Sequence, residues 1–226
     1  MKLKVLFSTA FLLLLGSAYA QNLQLHYDSR HSFYGNGVAD ANYLTATFEM
    51  FKPDKWGSTF MFVDFDFNAE NTGISLVYAE IARDFKLGNC PVMPHIEYNG
   101  GLGLGFPIKS SYLAGAAYPF QLGDFFMSTY VAYKLNAFEK TSHDAQWTLT
   151  WNANFFNNKL SLTGFADLWT EDKDAKHNKK LIFLSEPQFW YNLTPQLSLG
   201  SEVELSYNFI ADKFYAIPTL ATKWNF

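Results

Sequence analysis

The chain has 226 residues, of which 49% are hydrophobic and 19% aromatic, including 23 Phe, 13 Tyr and 6 Trp. This composition suffices for one sizeable domain and excludes a disordered chain, and its aromatic excess is typical of membrane interfaces and ligand channels. The formal net charge of −4 at pH 7 argues against nucleic-acid binding.

The first twenty residues have the three regions of a secretory signal peptide. Lys2 and Lys4 precede an apolar run over 5–15, and residues 18–20 (AYA) form an A-x-A cleavage site. The run is too short to remain as a membrane helix. We therefore predict a signal peptide over 1–20 and a mature chain over 21–226. Without Lys2 and Lys4, 15 basic residues remain against 21 acidic ones, a formal charge of −6.

The only cysteine, Cys90, cannot close an intramolecular disulfide, and no cysteine follows the cleavage site as in a lipoprotein. After the signal peptide, no apolar stretch reaches the length of a membrane helix. A mature chain that resides in a membrane must then cross it as a β-barrel.

Alternating apolar and polar residues fill most of the mature chain, beginning with 22–28 (NLQLHYD) and 41–51 (ANYLTATFEMF). About twelve such strands follow, most of them roughly 10–13 residues long, and this length crosses an apolar band ~25 Å tall. Strands of a soluble β-sandwich, the alternative fold, are usually about five or six residues long. The alternation is weak over 111–118 (SYLAGAAY), and it leaves the register there open.

The segment 57–68 (GSTFMFVDFDFN) is strongly apolar, yet it contains Asp64 and Asp66. In a water-soluble core, an unpaired carboxylate is costly to bury. One parity of this strand is almost purely apolar, and the other combines Phe60 and Phe62 with both aspartates. This pattern predicts a strand between lipid and a watery lumen, where a carboxylate keeps its hydration without a partner.

The chain ends on an aromatic strand that carries Trp224 and Phe226 on one face. A terminal Phe in such a strand resembles the assembly signal of outer-membrane barrels.

Short turns alternate along the chain with longer polar connections, which is the barrel pattern. We predict an all-β fold: a single transmembrane, antiparallel, up-and-down β-barrel of about twelve strands in the outer membrane of a diderm bacterium. Its expected partners are outer-membrane lipid and the barrel-assembly machinery.

Residues 43–67 and 78–85 resemble the N-terminal half of the Tsx-like nucleoside-specific channels. Both have a Tyr-Leu strand, a tryptophan turn, an aromatic strand with Asp, and an aromatic-x-Glu-Ile core, and both end in Asn-Phe. The resemblance implies a twelve-stranded barrel with a narrow, ring-lined pore that passes nucleosides. The external loops of this chain are shorter than those of the nucleoside channels, and loops commonly set the constriction.

The inward parity defines a candidate pore lining of rings and acids. Aromatic faces can stack on a base, and carboxylates can accept hydrogen bonds from sugar hydroxyls. We therefore predict an outer-membrane channel for passive uptake of small polar solutes, favouring nucleosides, without a cofactor or metal. The predicted lining consists of Phe60, Phe62, Asp64, Asp66, Tyr78, Glu80, Glu97, Tyr130, Asp167, Trp169, Glu186, Glu202 and Glu204.

Other interpretations of these residues remain. A small barrel can fill its lumen with side chains and transport nothing, its acids pairing with Lys134, Lys223 or Arg83. An outer-membrane lipid hydrolase would need a nucleophile and a base, for which His31 and Ser32 are candidates.

Two further motifs carry weaker signals. The stretch 171–180 (EDKDAKHNKK) offers oxygen and nitrogen ligands but lacks the glycine-centred spacing of a calcium loop. The stretch 100–106 (GGLGLGF) is glycine-rich but is not followed by a helix, which a dinucleotide site requires.

Overall fold

The computed structural model describes residues 20–67, 73–137, 141–173 and 176–226. All of the predicted signal peptide except Ala20 lies outside these ranges, so the cleavage site stays a prediction. The regular structure is almost entirely strand. The strands are β1 (Ala20–Asp28), β2 (Tyr43–Asp54), β3 (Gly57–Phe67), β4 (Leu76–Phe85), β5 (Met93–Gly103), β6 (Phe106–Leu122), β7 (Phe125–Ala137), β8 (Ser142–Phe155), β9 (Leu160–Asp172), β10 (Lys179–Ser185), β11 (Gln188–Asn192), β12 (Leu197–Tyr207) and β13 (Phe214–Asn225).

The strands form one closed antiparallel barrel. Consecutive strands pair with each other, except for β10 and β11, and β13 closes the ring by pairing with β1 from Asn22↔Asn225 to Asp28↔Thr219. β10 and β11 share one position, because both of them lie between β9 and β12. The barrel therefore has twelve positions, which confirms the predicted fold.

The shared position of β10 and β11 interrupts 181–191 (LIFLSEPQFWY), a stretch whose alternation is that of one unbroken strand. Pro187 has no N–H to donate to a ladder, and the chain leaves regular pairing at Glu186 and Pro187. The neighbouring strands still hold the break: the Glu186 N–H donates to the Phe165 carbonyl (3.1 Å), and the Val203 N–H donates to the Pro187 carbonyl (3.0 Å). The barrel thus stays closed across the interruption.

The polarity of the barrel is inverted relative to a soluble protein. On β1, Gln24 and His26 point inward and are 1% and 4% exposed, whereas Leu25 and Tyr27 point outward and are 43% and 45% exposed. An apolar outer surface around a polar interior is the arrangement of a barrel that lipid surrounds. No helix among the described residues is long and apolar enough to cross a membrane.

A bulge settles the register that the sequence left open. The pairing of β5 with β6 shifts between Asn99 and Gly101, where two residues of β6 oppose one residue of β5. Beyond the shift, Leu113 and Ala117 face inward and are buried, whereas Tyr112 is half exposed on the outer surface.

The connection 29–42, predicted only as a polar loop, contains a short helix, α1 (Arg30–Tyr34), followed by a 3-10 turn (Gly35–Gly37). The hydroxyl of Tyr34 donates to the carbonyl oxygen of Ala216 (3.1 Å), and its ring meets the Tyr215 ring edge-on at 5.0 Å. Both partners belong to β13, so this loop is docked against the barrel wall.

The strand break generates the first prediction. Gly164 on β9 has a φ of +150°, and a Cβ atom there would lie 2.6 Å from the Glu186 carbonyl oxygen and 2.9 Å from Pro187 Cα. Gly164→Val should therefore lower the folded fraction, since backbone strain of this kind alone costs ~1–3 kcal/mol. Heat-modifiable gel migration after refolding in detergent measures that fraction.

Gly37→Ala is the matched control, because Gly37 lies in the exposed loop and an added Cβ would meet nothing within 4 Å. Equal folded fractions for Gly164→Val, Gly37→Ala and the wild type would refute the account of the break.

Candidate functional site

The inner face of the barrel carries every residue of the predicted pore lining. Cross-strand register joins Gln24 of β1 to Thr47, Thr47 to Asp64, and Asp64 to Tyr78 along this face. The other predicted lining residues that lie on strands share the inward parity of those strands, and Glu186 lies at the break between β10 and β11. Their role in binding a solute stays a prediction.

The two aspartates of β3 lie in the lumen, as predicted. The sequence analysis expected them to remain without a partner there, but each accepts a hydrogen bond. The hydroxyl of Thr47 donates to Asp64 Oδ1 (2.5 Å), and the hydroxyl of Thr45 donates to Asp66 Oδ1 (2.6 Å). Both donors are neutral hydroxyl groups, so these contacts fix the positions of the two carboxyl groups without forming ion pairs.

Aromatic rings line the wall beside these aspartates. The ring centroid of Phe62 lies 6.0 Å from that of Phe60 on β3 and 5.9 Å from that of Tyr78 on β4. The Tyr78 hydroxyl donates to Glu80 Oε1 (2.6 Å). Aromatic rings and a carboxylate therefore lie side by side on two adjacent strands of the barrel wall.

A second cluster centres on His95, a buried residue of β5 that is not part of the predicted pore lining. Its Nδ1 lies 2.8 Å from Asp84 Oδ1 and its Nε2 lies 3.3 Å from Glu97 Oε2. The imidazole stacks on the Tyr130 ring at 4.0 Å, and the Tyr130 hydroxyl donates to Glu97 (2.8 Å). This network ties β4, β5 and β7 together inside the barrel.

Each of the two lysines that the sequence analysis assigned to the lumen covers a tryptophan ring. Lys134 Nζ lies 4.7 Å from the Trp169 ring centre, and Lys223 Nζ lies 4.3 Å from the Trp190 ring centre. Cation–π attraction stabilises such contacts, particularly where water is partly excluded. Arg83, the third cation considered for pairing with lumen acids, is instead bound to Asp54 beside the turn that joins β2 to β3.

At the mouth of the barrel, loop 29–42 introduces one further cation. Arg30 Nη2 lies 2.7 Å from Asp28 Oδ2 and 3.2 Å from Glu204 Oε2, which joins β1 to β12. Burial alone would lower the pKa of the Arg30 guanidinium, but its bond to Asp28 and the charge of Glu204 raise the pKa above its ordinary value. Arg30 therefore stays charged and secures the start of this loop.

The catalytic pair of the lipid-hydrolase hypothesis is not assembled. His31 Nδ1 lies 2.8 Å from the Ala39 carbonyl oxygen, and Ser32 Oγ accepts a hydrogen bond from Asn42 (2.7 Å), so neither residue contacts the other as a base contacts a nucleophile. Asp174 of the proposed metal loop lies outside the described residues. Among those described, no group of three or more His, Cys, Asp or Glu side chains could hold a metal ion.

The sequence analysis missed several inward-facing residues. Trp190 is 1% exposed and shares the parity of Gln188, to which its indole N–H donates (3.0 Å). Asp28 and Asp144 are buried acids near the strand ends, where alternation was harder to follow. The alternation of residues within each strand was the sequence signal that could have placed all three on the inner face.

Solved structures with a similar fold are outer-membrane barrels. The NanC porin superimposes with a TM-score of 0.58 at 12% identity, covering 92% of this chain and 100% of that one. Outer membrane phospholipase A from Escherichia coli has a TM-score of 0.57 at 9% identity, covering 92% and 96%. The KdgM porin has a TM-score of 0.51 at 8% identity, covering 92% and 99%. At these identities the likeness concerns the fold alone.

No curated protein matches the sequence. A family model described as "Domain of unknown function (DUF5020)" matches residues 20–226, the whole of the predicted barrel. The chain belongs to this DUF5020 family.

Proposed function

We propose that the protein is an outer-membrane channel for passive uptake of small hydrophilic solutes. The observation that carries the proposal is the inverted barrel: its outer wall is apolar, and its lumen is lined by hydrogen-bonded polar groups and carboxylates. Lumen acids such as Glu202 keep part of their surface accessible to water, with 20% of its side chain exposed. The porins of the same fold support this reading.

Within that function, we favour nucleoside-like solutes. The resemblance to the nucleoside-specific channels falls on β2, β3 and β4, the strands that place Phe60, Phe62 and Tyr78 beside Asp64 and Glu80. Rings can stack on a base while carboxylates accept from ribose hydroxyls.

An acidic solute fits the lumen poorly. A KdgM porin structure is described as a complex with oligogalacturonate, a polyanion. Among the described residues of the inner face, carboxylates outnumber cations such as Arg30, Lys134 and Lys223, and an excess of acidic groups would oppose a polyanion. This chain and the KdgM porin therefore share a fold, but we propose that the lumen of this chain disfavours polyanions.

The excess of lumen acids generates a prediction of ion selectivity. The purified protein in a planar bilayer should conduct cations better than anions, and the preference should grow at low salt, where the Debye length reaches ~30 Å at 0.01 M. Reversal potentials across a salt gradient measure this preference. An anion-selective pore would refute the assigned lining, and a bilayer without conductance would favour a closed structural barrel.

The ring wall generates a separate prediction of solute block. Nucleosides should reduce small-ion current more strongly than sugars, since only a nucleoside offers both a base face and hydroxyls. Phe62→Ala should weaken nucleoside block by removing a ring, and Asp64→Asn should weaken both block and cation preference by removing a charge.

Phe65→Ala is the matched control for the ring, because Phe65 lies on the outer parity of the same strand. Equal block by nucleosides and sugars in the wild type, or equal loss in Phe62→Ala and Phe65→Ala, would refute the nucleoside proposal.

A further inference from the structure

Trp190 lies along the inner wall of the barrel, where two neighbouring strands leave room for its ring. Cross-strand register places Gly200 of β12 next to Trp190, and Ala221 of β13 next to Gly200. A Cβ atom on Gly200 would lie 2.5 Å from Trp190 Cε3, so the indole covers this glycine. Ala221 adds only a methyl group. The ring therefore fills a sector of the lumen, and Trp190 is only 1% exposed.

Across these two strands, the ring of Trp190 reaches β1. Ala221 pairs with His26 of β1, and the His26 ring meets the Trp190 ring nearly edge-on, with the two centroids 6.0 Å apart. Aromatic rings at this separation are in contact. Two strands thus separate the strands whose side chains meet, and the wall between them is covered: Ala221 is 3% exposed.

Polar groups hold Trp190 in this position. Its indole N–H donates to Gln188 Oε1 (3.0 Å), and the Gln188 amide donates to Gln24 Oε1 on β1 (3.3 Å). Lys223 Nζ of β13 lies 4.3 Å from the centre of the ring, a cation–π contact. These contacts tie Trp190 to β1 and β13 as well as to its own strand, so the ring is a fixed part of the wall.

The wall from β5 to β7 is covered in a similar manner. The His95 ring of β5 stacks on the Tyr130 ring of β7 with centroids 4.0 Å apart. Small residues, Gly115 and Ala117, pair with these two on the inner face of β6, and Ala117 is 1% exposed. Packed side chains therefore occupy two sectors of the lumen, one on each side of β2, β3 and β4.

Between the two packed sectors, the inner surface of β2, β3 and β4 stays accessible. Inward residues such as Thr47, Phe62 and Tyr78 are half-buried, whereas the four inward residues of β1 from Asn22 to Asp28 are buried. A cavity of about 410 Å³ opens at the loop end of the same three strands, where its lining includes Tyr43, Asp66 and Leu76. This volume lies in the range of small-molecule sites, ~300–1,000 Å³.

We propose that solutes cross the barrel along the side formed by β2, β3 and β4, and that Trp190 is a specificity-determining residue because its ring limits the width of this path. The inference rests on the proposed channel function and deepens it. Compact solutes pass beside the rings and carboxylates of β3 and β4, and bulkier solutes are excluded because the sector from β11 to β1 is filled.

Transport by the refolded full mature chain tests the role of Trp190. Trp190→Ala should raise single-channel conductance by roughly 1.5-fold or more, because one large side chain takes up a substantial share of the lumen of a small barrel. In liposome swelling, the rate of raffinose entry relative to glucose entry should rise by about twofold or more for the same reason.

Trp147→Ala is the matched control, because Trp147 lies on the outer face of β8 and is 38% exposed. It should change neither measurement. If Trp190→Ala does not refold, Trp190→Leu removes the same ring and leaves a smaller cavity. Wild-type conductance and selectivity in the Trp190 variant, or the same increase in Trp147→Ala, would overturn the inference.

Thiol labelling tests the packed sector without relying on transport. In a Cys90→Ser background, Ala221→Cys should be protected from a membrane-impermeant reagent, whereas Asp64→Cys on the accessible side should react. Adding Trp190→Ala should expose the Ala221→Cys thiol, and adding Trp147→Ala should not. Labelling of Ala221→Cys while Trp190 is present would contradict a filled sector.

The two experiments together separate this inference from the proposed function. A conducting wild type that Trp190→Ala leaves unchanged would refute the role of Trp190 and leave the channel standing. A silent wild type with a conducting Trp190→Ala variant would refute the channel and leave Trp190 as the residue that closes the barrel. Silence of both would refute both proposals.

Discussion

The constraint on which the rest of the structure depends is that a backbone in lipid must satisfy its own hydrogen bonds. No water is present in hydrocarbon to pair with an open sheet edge, so a spanning sheet must close. Closure here depends on β1 and β13, whose seven paired positions run from Asn22 to Asp28. The terminal Phe226 N–H extends the seam by donating to the Gln21 carbonyl (3.1 Å). Without this seam, both of these strands would present unpaired edges to lipid.

Closure also explains why polar residues are buried in this protein. A closed barrel in lipid exposes its outer face to hydrocarbon, so only the inner face can hold charge at low cost. Ser198 and Ser206 on β12 are 0% exposed, yet each hydroxyl donates to a neighbour on the inner face, to Asn192 and Glu204 respectively. The interior is a hydrogen-bonded polar network rather than an apolar core.

The sequence predicted the fold and the two faces well, because the period of a strand is two residues wherever the barrel is regular. Asp64 illustrates this: its parity alone placed it in the lumen. The prediction failed where regularity ends. Pro187 interrupts a strand that looked continuous, and the bulge beside Gly101 shifts parity, which a local pattern cannot resolve.

Contacts between distant strands were beyond the sequence altogether. His95 sits between two acids and against Tyr130, and Arg30 joins Asp28 to Glu204 across more than 170 residues of sequence. Such pairs depend on the register and tilt of the closed barrel, which no single segment encodes.

Cysteine accessibility along β3 tests the central claim most directly, namely that the acids and rings of this strand face water while the intervening residues face lipid. In a background in which the only native cysteine is replaced (Cys90→Ser), single cysteines at positions 60 to 66 would be exposed to a membrane-impermeant thiol reagent in outer-membrane vesicles. The account predicts labelling at positions 60, 62, 64 and 66, and protection at 61, 63 and 65. Uniform labelling, or labelling of the opposite parity, would contradict a water-filled lumen lined by these residues.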